Sequence, residues 1–312
     1  MGRPPLLGVE IGGTKLQLGL GRGDGRIEAL ERRAIRPEAG ARGILDQIAE
    51  AYAALLARDE ARGERPEAAG IGFGGPVDAG LGVVVRSHQV EGWEGFPLAD
   101  WVRSELGIAR VAVQNDADTA GLGEARFGSG VGLSPIFYVT IGSGIGGGLI
   151  LDGRIYRGGG SGAAEIGHLW VDDGTGGRIR LEDVASGWAI GAEGRRQIPG
   201  ISSAVDVARA AAAGDPRAAA ILDRATGALA SALGHVVTLL GPRRIILGGG
   251  VSLLDDALWL GPIAARLEAL AFPPFRGTYD VVTASLGEEV VVQGAIALAA
   301  DLREQPGAGR SV

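Results

Sequence analysis

Leu6-Leu7-Gly8-Val9-Glu10-Ile11-Gly12-Gly13-Thr14-Lys15-Leu16-Gln17-Leu18-Gly19-Leu20 reads as strand, glycine turn, strand, because apolar residues alternate on both sides of Gly12-Gly13-Thr14-Lys15. The pattern returns later as Ile136-Phe137-Tyr138-Val139-Thr140-Ile141, then Gly142-Ser143-Gly144-Ile145-Gly146-Gly147, then Gly148-Leu149-Ile150-Leu151. One such hairpin in each half suggests an internal duplication with two glycine turns. Periodicity predicts helices over 41–58, 116–127, 182–197, 204–213, 216–240, 254–270 and 288–302, with short strands over 110–114 and 244–247. Strand-first alternation of this kind builds two α/β domains whose sheets are flanked by helices. The expected boundary falls at the 114–116 hinge, giving domains over 1–114 and 115–287.

At 312 residues the chain is long for one core and suits two domains. With 46% hydrophobic and 21% charged residues it is of globular composition, and no apolar run reaches bilayer length. The opening Met1-Gly2-Arg3-Pro4-Pro5 carries neither a signal peptide nor a membrane anchor, so the expected location is the cytoplasm. There is no cysteine, which excludes disulfides, thiolate zinc sites and cysteine nucleophiles. A net charge of -7 argues against a nucleic-acid partner, which needs a basic surface. Glycine takes 56 positions, so a glycine motif counts only in a fixed strand context. The only lysine of the chain, Lys15, stands beside the first glycine turn, where an ammonium can approach a phosphate as a compact charge.

A tight turn without side chains lets backbone N–H groups reach phosphate oxygens, and Thr14, Lys15 and Ser143 add hydroxyls and a charge. Gly12, Gly13, Thr14 and Lys15, with Gly142, Ser143 and Gly144, are therefore phosphate candidates, weighed against ordinary hairpin turns. Neither is a Walker loop or dinucleotide fingerprint, because a strand follows each. Asn115-Asp116 lies where a strand turns into a helix, so its carboxylate is either a rigidly held catalytic group or a helix cap. Glu165-Ile166-Gly167-His168 pairs a carboxylate with an imidazole behind the Gly158–Gly162 loop, with Glu182 downstream. Gly248-Gly249-Gly250-Val251 ends a strand and offers bare backbone to a flat ring or ribose, or is simply a tight turn. Of the other histidines, His235 reads as core within an apolar helix, and His88 lies in a loop and is open to either reading.

In order, Gly12-Gly13-Thr14-Lys15, Gln114-Asn115-Asp116-Ala117, Gly142 to Gly148, Glu165-Ile166-Gly167-His168 and Leu247-Gly248-Gly249-Gly250-Val251 resemble the motif series of the ROK sugar kinases, over about residues 6 to 303. The resemblance implies an actin-like ATPase fold of two ribonuclease-H-like domains, with the C-terminal helix over 288–303 joining the first. It implies ATP and Mg²⁺, phosphates between the two glycine hairpins, and adenosine near Gly248 to Val251. Asp116 becomes the general base, and Asn115, Asp116, Glu165, His168, Glu182, Gly75 and Gln89 the sugar contacts. Glu10 would hold magnesium through water, standing where most members carry Asp.

The expected reaction is ATP-dependent phosphorylation of a hexose 6-hydroxyl, glucokinase-like. Fructokinase or N-acetylhexosamine kinase activity is the alternative within the class, and a non-catalytic sugar sensor the alternative outside it. A repressor with an N-terminal DNA-binding domain is disfavoured because the first motif begins near residue 10. The expected partners are a sugar, ATP and a second copy in a homodimer, with no nucleic acid and no membrane.

Gln89-Val90-Glu91-Gly92-Trp93 resembles the family's Asn-Leu-x-Gly-Trp, with Gln for Asn. The family's cysteine-rich zinc loop is replaced by Gly174-Thr175-Gly176-Gly177-Arg178-Ile179-Arg180, so another device must hold His168 and Glu182 in place. The purified protein is expected to carry no stoichiometric zinc; one tightly held zinc per chain in elemental analysis would contradict this reading.

Overall fold

The computed structural model describes residues 3–58, 64–87, 89–159, 162–172 and 176–304. His88, Gly174 and Thr175 lie outside the described residues. The chain divides into two compact units. The first runs to Val131, takes in Arg157–Ala163 and resumes at Leu286; the second holds Gly132–Tyr156 and Ala164–Ser285.

In the first unit β1 (Leu6–Ile11) pairs antiparallel with β2 (Lys15–Gly21), and β2 with β3 (Ile27–Ala34). After α1 (Gly40–Leu56), β4 (Ala68–Phe73) lies parallel to β1. A ribbon of β5 (Val77–Asp78) and β6 (Val83–Val84) and helix α2 (Leu98–Glu105) lead to β7 (Arg110–Asn115), parallel to β4, and then α3 (Asp116–Phe127). The sheet order is β3-β2-β1-β4-β7.

The second unit repeats this plan. β8 (Ile136–Ile141), β9 (Ile145–Leu151) and β10 (Arg154–Ile155) form an antiparallel meander, followed by a small hairpin of β11 (Trp170–Asp172) and β12 (Arg178–Arg180). Helices α4 (Glu182–Ala185), α5 (Gly187–Gln197), α6 (Ala204–Ala212) and α7 (Pro216–Leu240) precede β13 (Arg244–Gly248), α8 (Leu260–Leu270) and β14 (Asp280–Thr283). The order β10-β9-β8-β13-β14, with β8, β13 and β14 parallel, matches that of the first sheet strand for strand. The duplication read from the two glycine hairpins is thus a duplication of whole sheets.

The central strands bury both faces. Leu7, Val9, Ile11, Leu16, Leu18 and Ile71 form one core with α1, while Val139, Ile141, Ile245 and Leu247 form another with α7 and α8. Burying each such side chain contributes about 1.5–3 kcal/mol. The last helix, α9 (Val290–Glu304), returns to the first unit and lies on the sheet at unusually short range. A β-carbon on Gly8 would stand 2.5 Å from the Val292 carbonyl oxygen, and one on Gly70 would collide with that of Ala295. Between α3 and α9, a β-carbon on Gly123 would be 2.7 Å from the Val290 oxygen, and one on Gly294 would overlap the Thr119 oxygen.

Several expectations differ from the fold in instructive ways. The sequence puts the boundary at 114/115; the compact units divide between Val131 and Gly132, since α3 packs on α9. The helix predicted over 182–197 is two helices broken at Ser186. There the Gly187 N–H leaves the helical ladder to donate to Gly142 O at 2.8 Å, and Ser186 Oγ caps the new helix by accepting from Ala189 N at 3.2 Å. The helix predicted from residue 254 begins only at Leu260. Asp255 accepts from the Ala257 N–H through its side chain and from the Leu258 and Trp259 N–H groups through its carbonyl, a local turn that competes with helix. His235 is exposed on α7 and is not core.

Gly294→Ala is expected to lower stability by about 1–3 kcal/mol, the usual cost of forcing an extra methyl into a packed contact. Chemical denaturation beside wild type measures this; an unchanged midpoint would mean that α9 rides further from α3.

Candidate active site

In open α/β sheets ligands collect beyond the carboxyl ends of the parallel strands. In the first unit those ends are Ile11 of β1, Phe73 of β4 and Asn115 of β7, and the register pairs Ile11 with Phe73 and Phe73 with Asn115. The loops that follow, Gly12–Thr14, Gly74–Gly75 and Asp116, are therefore neighbours. The Gly74 N–H donates to Ile11 O at 2.8 Å, and a β-carbon on Gly74 would sit 3.4 Å from Gly12 Cα and 3.5 Å from Asp116 Oδ2.

The cap at the start of α3 is Asn115, not Asp116. Asn115 Oδ1 accepts from the Ala117 N–H at 2.8 Å and the Asp118 N–H at 3.4 Å, and its Nδ2 donates to Gly75 O at 3.2 Å. One Nδ2 hydrogen is left over for a ligand. Asp116 is the first residue inside the helix; its Oδ1 accepts from the Ala117 N–H at 2.9 Å while its Oδ2 lies toward Gly74 and Gly12. Gly75 approaches the Arg86 carbonyl, which a β-carbon would meet at 2.8 Å. The Gln89 carboxamide lies against Gly13, in the space a β-carbon there would need. Its loop is anchored by Trp93, buried edge-on against Phe73 with ring centroids 5.1 Å apart.

Glu10 and Lys15 belong to one chain of polar groups that runs from buried Glu10 and Gln17 out to the surface. Glu10 Oε2 accepts from Gln17 Nε2 at 2.6 Å, and Oε1 is 3.3 Å from Lys15 Nζ. Gln17 and Lys15 both donate to the Glu288 carbonyl, at 2.9 and 3.1 Å, and Arg32 Nε donates to Gln17 Oε1 at 2.8 Å. Burial pushes the Glu10 carboxyl above its ordinary range, more strongly than Lys15 and Gln17 pull it down. Gln17, fully buried, was legible only as a polar break in an apolar strand; its role emerges from the register that sets it opposite Glu10.

The second unit builds its site in the same place, beyond β8 and β13. Thr14 and Ser143 are the exposed tips of the two glycine turns. The second turn closes with Gly142 N–H donating to Gly144 O at 3.0 Å. Gly249, at φ 83°, packs on the Ile141 backbone, and Val251 approaches Gly187, which in turn bonds Gly142. Gly142, Gly187 and Gly248 to Val251 thus form one cluster. Gly142 and Gly250 have open space where a β-carbon would point, and neither has a positive φ. No intramolecular contact demands glycine there, which leaves bare backbone for a ligand.

Glu165 precedes and His168 ends a 3₁₀ turn over Ile166–His168; both are exposed, while Ile166 and Gly167 are buried and the turn packs through Gly167 on the Ile145 carbonyl. Glu182 reaches the same residue from the other side, its Oε2 accepting from the Ile145 N–H at 2.9 Å. A backbone ladder joins these segments. β11 and β12 pair from Asp172↔Arg178 to Trp170↔Arg180, and Leu181 N–H extends the pairing to Leu169 O at 2.9 Å. That last bond joins the neighbours of His168 and Glu182. Among the described residues no group of three or more His, Asp or Glu side chains could cage a metal ion.

The ROK family model matches residues 6–302. Glucokinase from Thermotoga maritima is 34% identical over 94% of this chain and 96% of its own length. The crystal structure of a ROK hexokinase from Thermus thermophilus aligns at a TM-score of 0.83 with 28% identity, covering 96% of this chain and all of that one. A ROK family glucokinase from Streptomyces griseus, in complex with glucose and AMPPNP, aligns at 0.81 with 32% identity over 95% and 99% of the two chains. The fold is that of the actin-like ATPases. The chain belongs to the ROK family.

The raised carboxyl of Glu10 has a signed consequence. Its folded state favours the protonated form, so its stabilising contribution is complete below the ordinary carboxylate range and is lost as pH rises through its elevated folded value. Wild type should therefore lose stability relative to Glu10→Gln as pH rises from the ordinary carboxylate range through the elevated folded value. Urea unfolding of both proteins across that range measures the difference; a wild type that gains on the variant with rising pH would show that the Lys15 attraction outweighs burial.

Proposed function

We propose that Asp116 is the general base of this chain and that its two glycine hairpins receive the phosphates of ATP. The chain is a sugar kinase that phosphorylates a hexose with ATP. The assignment of Asp116 rests most directly on the capping geometry: the Asn115 carboxamide satisfies the helix end, so the carboxylate beside it, with one oxygen toward the first glycine turn, is not needed as the cap.

In this reading Asp116 accepts the proton of the sugar 6-hydroxyl as that oxygen attacks the γ-phosphorus. The bond from the γ-phosphorus to the β,γ-bridging oxygen breaks, and ADP leaves with the electron pair. Asn115, Glu165, His168, Glu182, Gly75 and Gln89 are the proposed sugar contacts, donors and acceptors matched to a ring of hydroxyls. The turn amides with Thr14, Lys15 and Ser143 stabilise phosphoryl charge, and Gly248, Gly249, Gly250 and Val251 lie against the nucleoside. A magnesium ion bound through substrate phosphates and water, with Glu10 as the nearby carboxylate, fits a site without a protein cage and would neutralise phosphate charge. A homodimer in the cytoplasm that carries no zinc completes the proposal.

Asp116→Asn should fold with stability within about 1 kcal/mol of wild type, since the cap is retained. Its kcat should fall by about 10² to 10⁴ with a smaller change in KM. A coupled assay with ATP, magnesium and a panel of glucose, mannose, fructose and N-acetylhexosamines, run on both proteins, tests base and substrate together. Near-normal kcat in the variant would remove Asp116 from the chemistry, and turnover of fructose or an N-acetylhexosamine above glucose would correct the substrate.

A further inference from the structure

Ile145 opens β9 directly after the second glycine turn, and its two backbone polar groups face the two segments that carry sugar candidates. Its N–H donates to Glu182 Oε2 at 2.9 Å. Its carbonyl lies so close to Gly167 that a β-carbon there would collide with it, which brings the Glu165–His168 turn onto the strand through a bare Cα. The Glu182 carboxylate also occupies the space a β-carbon on Gly144 would need. Further along the same segment, Gly187 N–H donates to Gly142 O at 2.8 Å. Residues 182–187 therefore grip the turn at both ends.

This grip matters because the turn has little order of its own. Ser143 is exposed, Gly142 has open space on its Cβ side, and the internal closure is the Gly142 to Gly144 bond. Glycines lose the most conformational freedom on ordering, so amides meant to meet an anion in one geometry need an outside constraint. A carboxylate accepting from a backbone N–H supplies a bond roughly twice as strong as a neutral one.

We propose that Glu182 is a positioning residue for the second phosphate hairpin as well as a sugar contact: its carboxylate orders the Gly142–Ile145 turn for nucleotide, and a sugar hydroxyl on that carboxylate couples sugar occupancy to nucleotide affinity. This rests on the sugar-kinase reading of the site. Linkage then requires the converse, that nucleotide alters sugar affinity by the same factor.

The test uses full-length wild type, Glu182→Ala, Glu182→Asp and Glu182→Gln. Calorimetry gives the Kd for magnesium AMPPNP without and with glucose, and hydrogen exchange follows the peptide containing Ile145. In Glu182→Ala and Glu182→Asp, whose side chains no longer reach Ile145, nucleotide Kd without sugar should weaken about tenfold and Ile145 protection should fall. Glu182→Gln keeps an oxygen for the Ile145 N–H in a weaker, neutral bond, so protection and nucleotide Kd should change less than in the Ala and Asp variants while glucose affinity drops. Should Glu182→Ala fail to fold, the Asp and Gln pair carries the same contrast. Wild-type exchange and nucleotide Kd in the Asp variant would make Glu182 a sugar contact alone and overturn the proposal. A wild type that binds neither ligand would instead overturn the kinase reading and the nucleotide half of the proposal, while loss of Ile145 protection in the Ala or Asp variant would still support the clamp.

Discussion

Parallel pairing of three strands in each unit, β1-β4-β7 and β8-β13-β14, is the constraint from which the rest follows. Parallel strands end on the same edge of a sheet, so the loops that leave them are neighbours whatever their distance in sequence. Ile11, Phe73 and Asn115 share one such edge, which brings Gly12 and Asp116 to either side of Gly74 although about a hundred positions separate them along the chain. In the second unit the same rule sets Gly249 on the Ile141 backbone, directly before the second glycine turn.

Close backbone approach is the second theme, and glycine serves two different ends in it. At Gly8, Gly70, Gly123 and Gly294 its purpose is internal: each lets α9 lie against strand or helix backbone where any side chain would hold it off. At Gly142 and Gly250 the protein itself makes no such demand, and the bare surface faces outward. The distinction separates packing glycines from candidate ligand glycines in a chain that has too many of them for motif counting to do so.

Electrostatics at the first hairpin follow a similar logic of local cost and remote support. Glu10 is buried with its carboxyl pushed above the ordinary range, an arrangement that lowers stability at neutral pH unless partners offset it. Lys15 and Gln17 form that offset; both donate to the Glu288 carbonyl, which is reached only because α9 begins beside the strand, and Gln17 also accepts from Arg32. A buried, incompletely compensated carboxylate beside a glycine turn is the kind of perturbed group that clusters at functional sites.

Apolar alternation around each glycine turn was enough to specify both hairpins, because period-two patterning and a turn without side chains are local properties. Residues 116–127 and 216–240 were legible as helices for the same reason, although the caps themselves, Asn115 and Asp215, are identified by the structure. Local pattern did not reveal the break at Ser186, since the bond that draws Gly187 out of the helix goes to Gly142, far away in sequence. It also left β3, β4 and β14 unread, missed Gln17 as the partner of Glu10, and gave no sign that Glu182 accepts from the Ile145 N–H. Those outcomes depend on which strand edge, register or carbonyl a residue meets after the chain has closed on itself, and such long-range pairing is decided by tertiary structure.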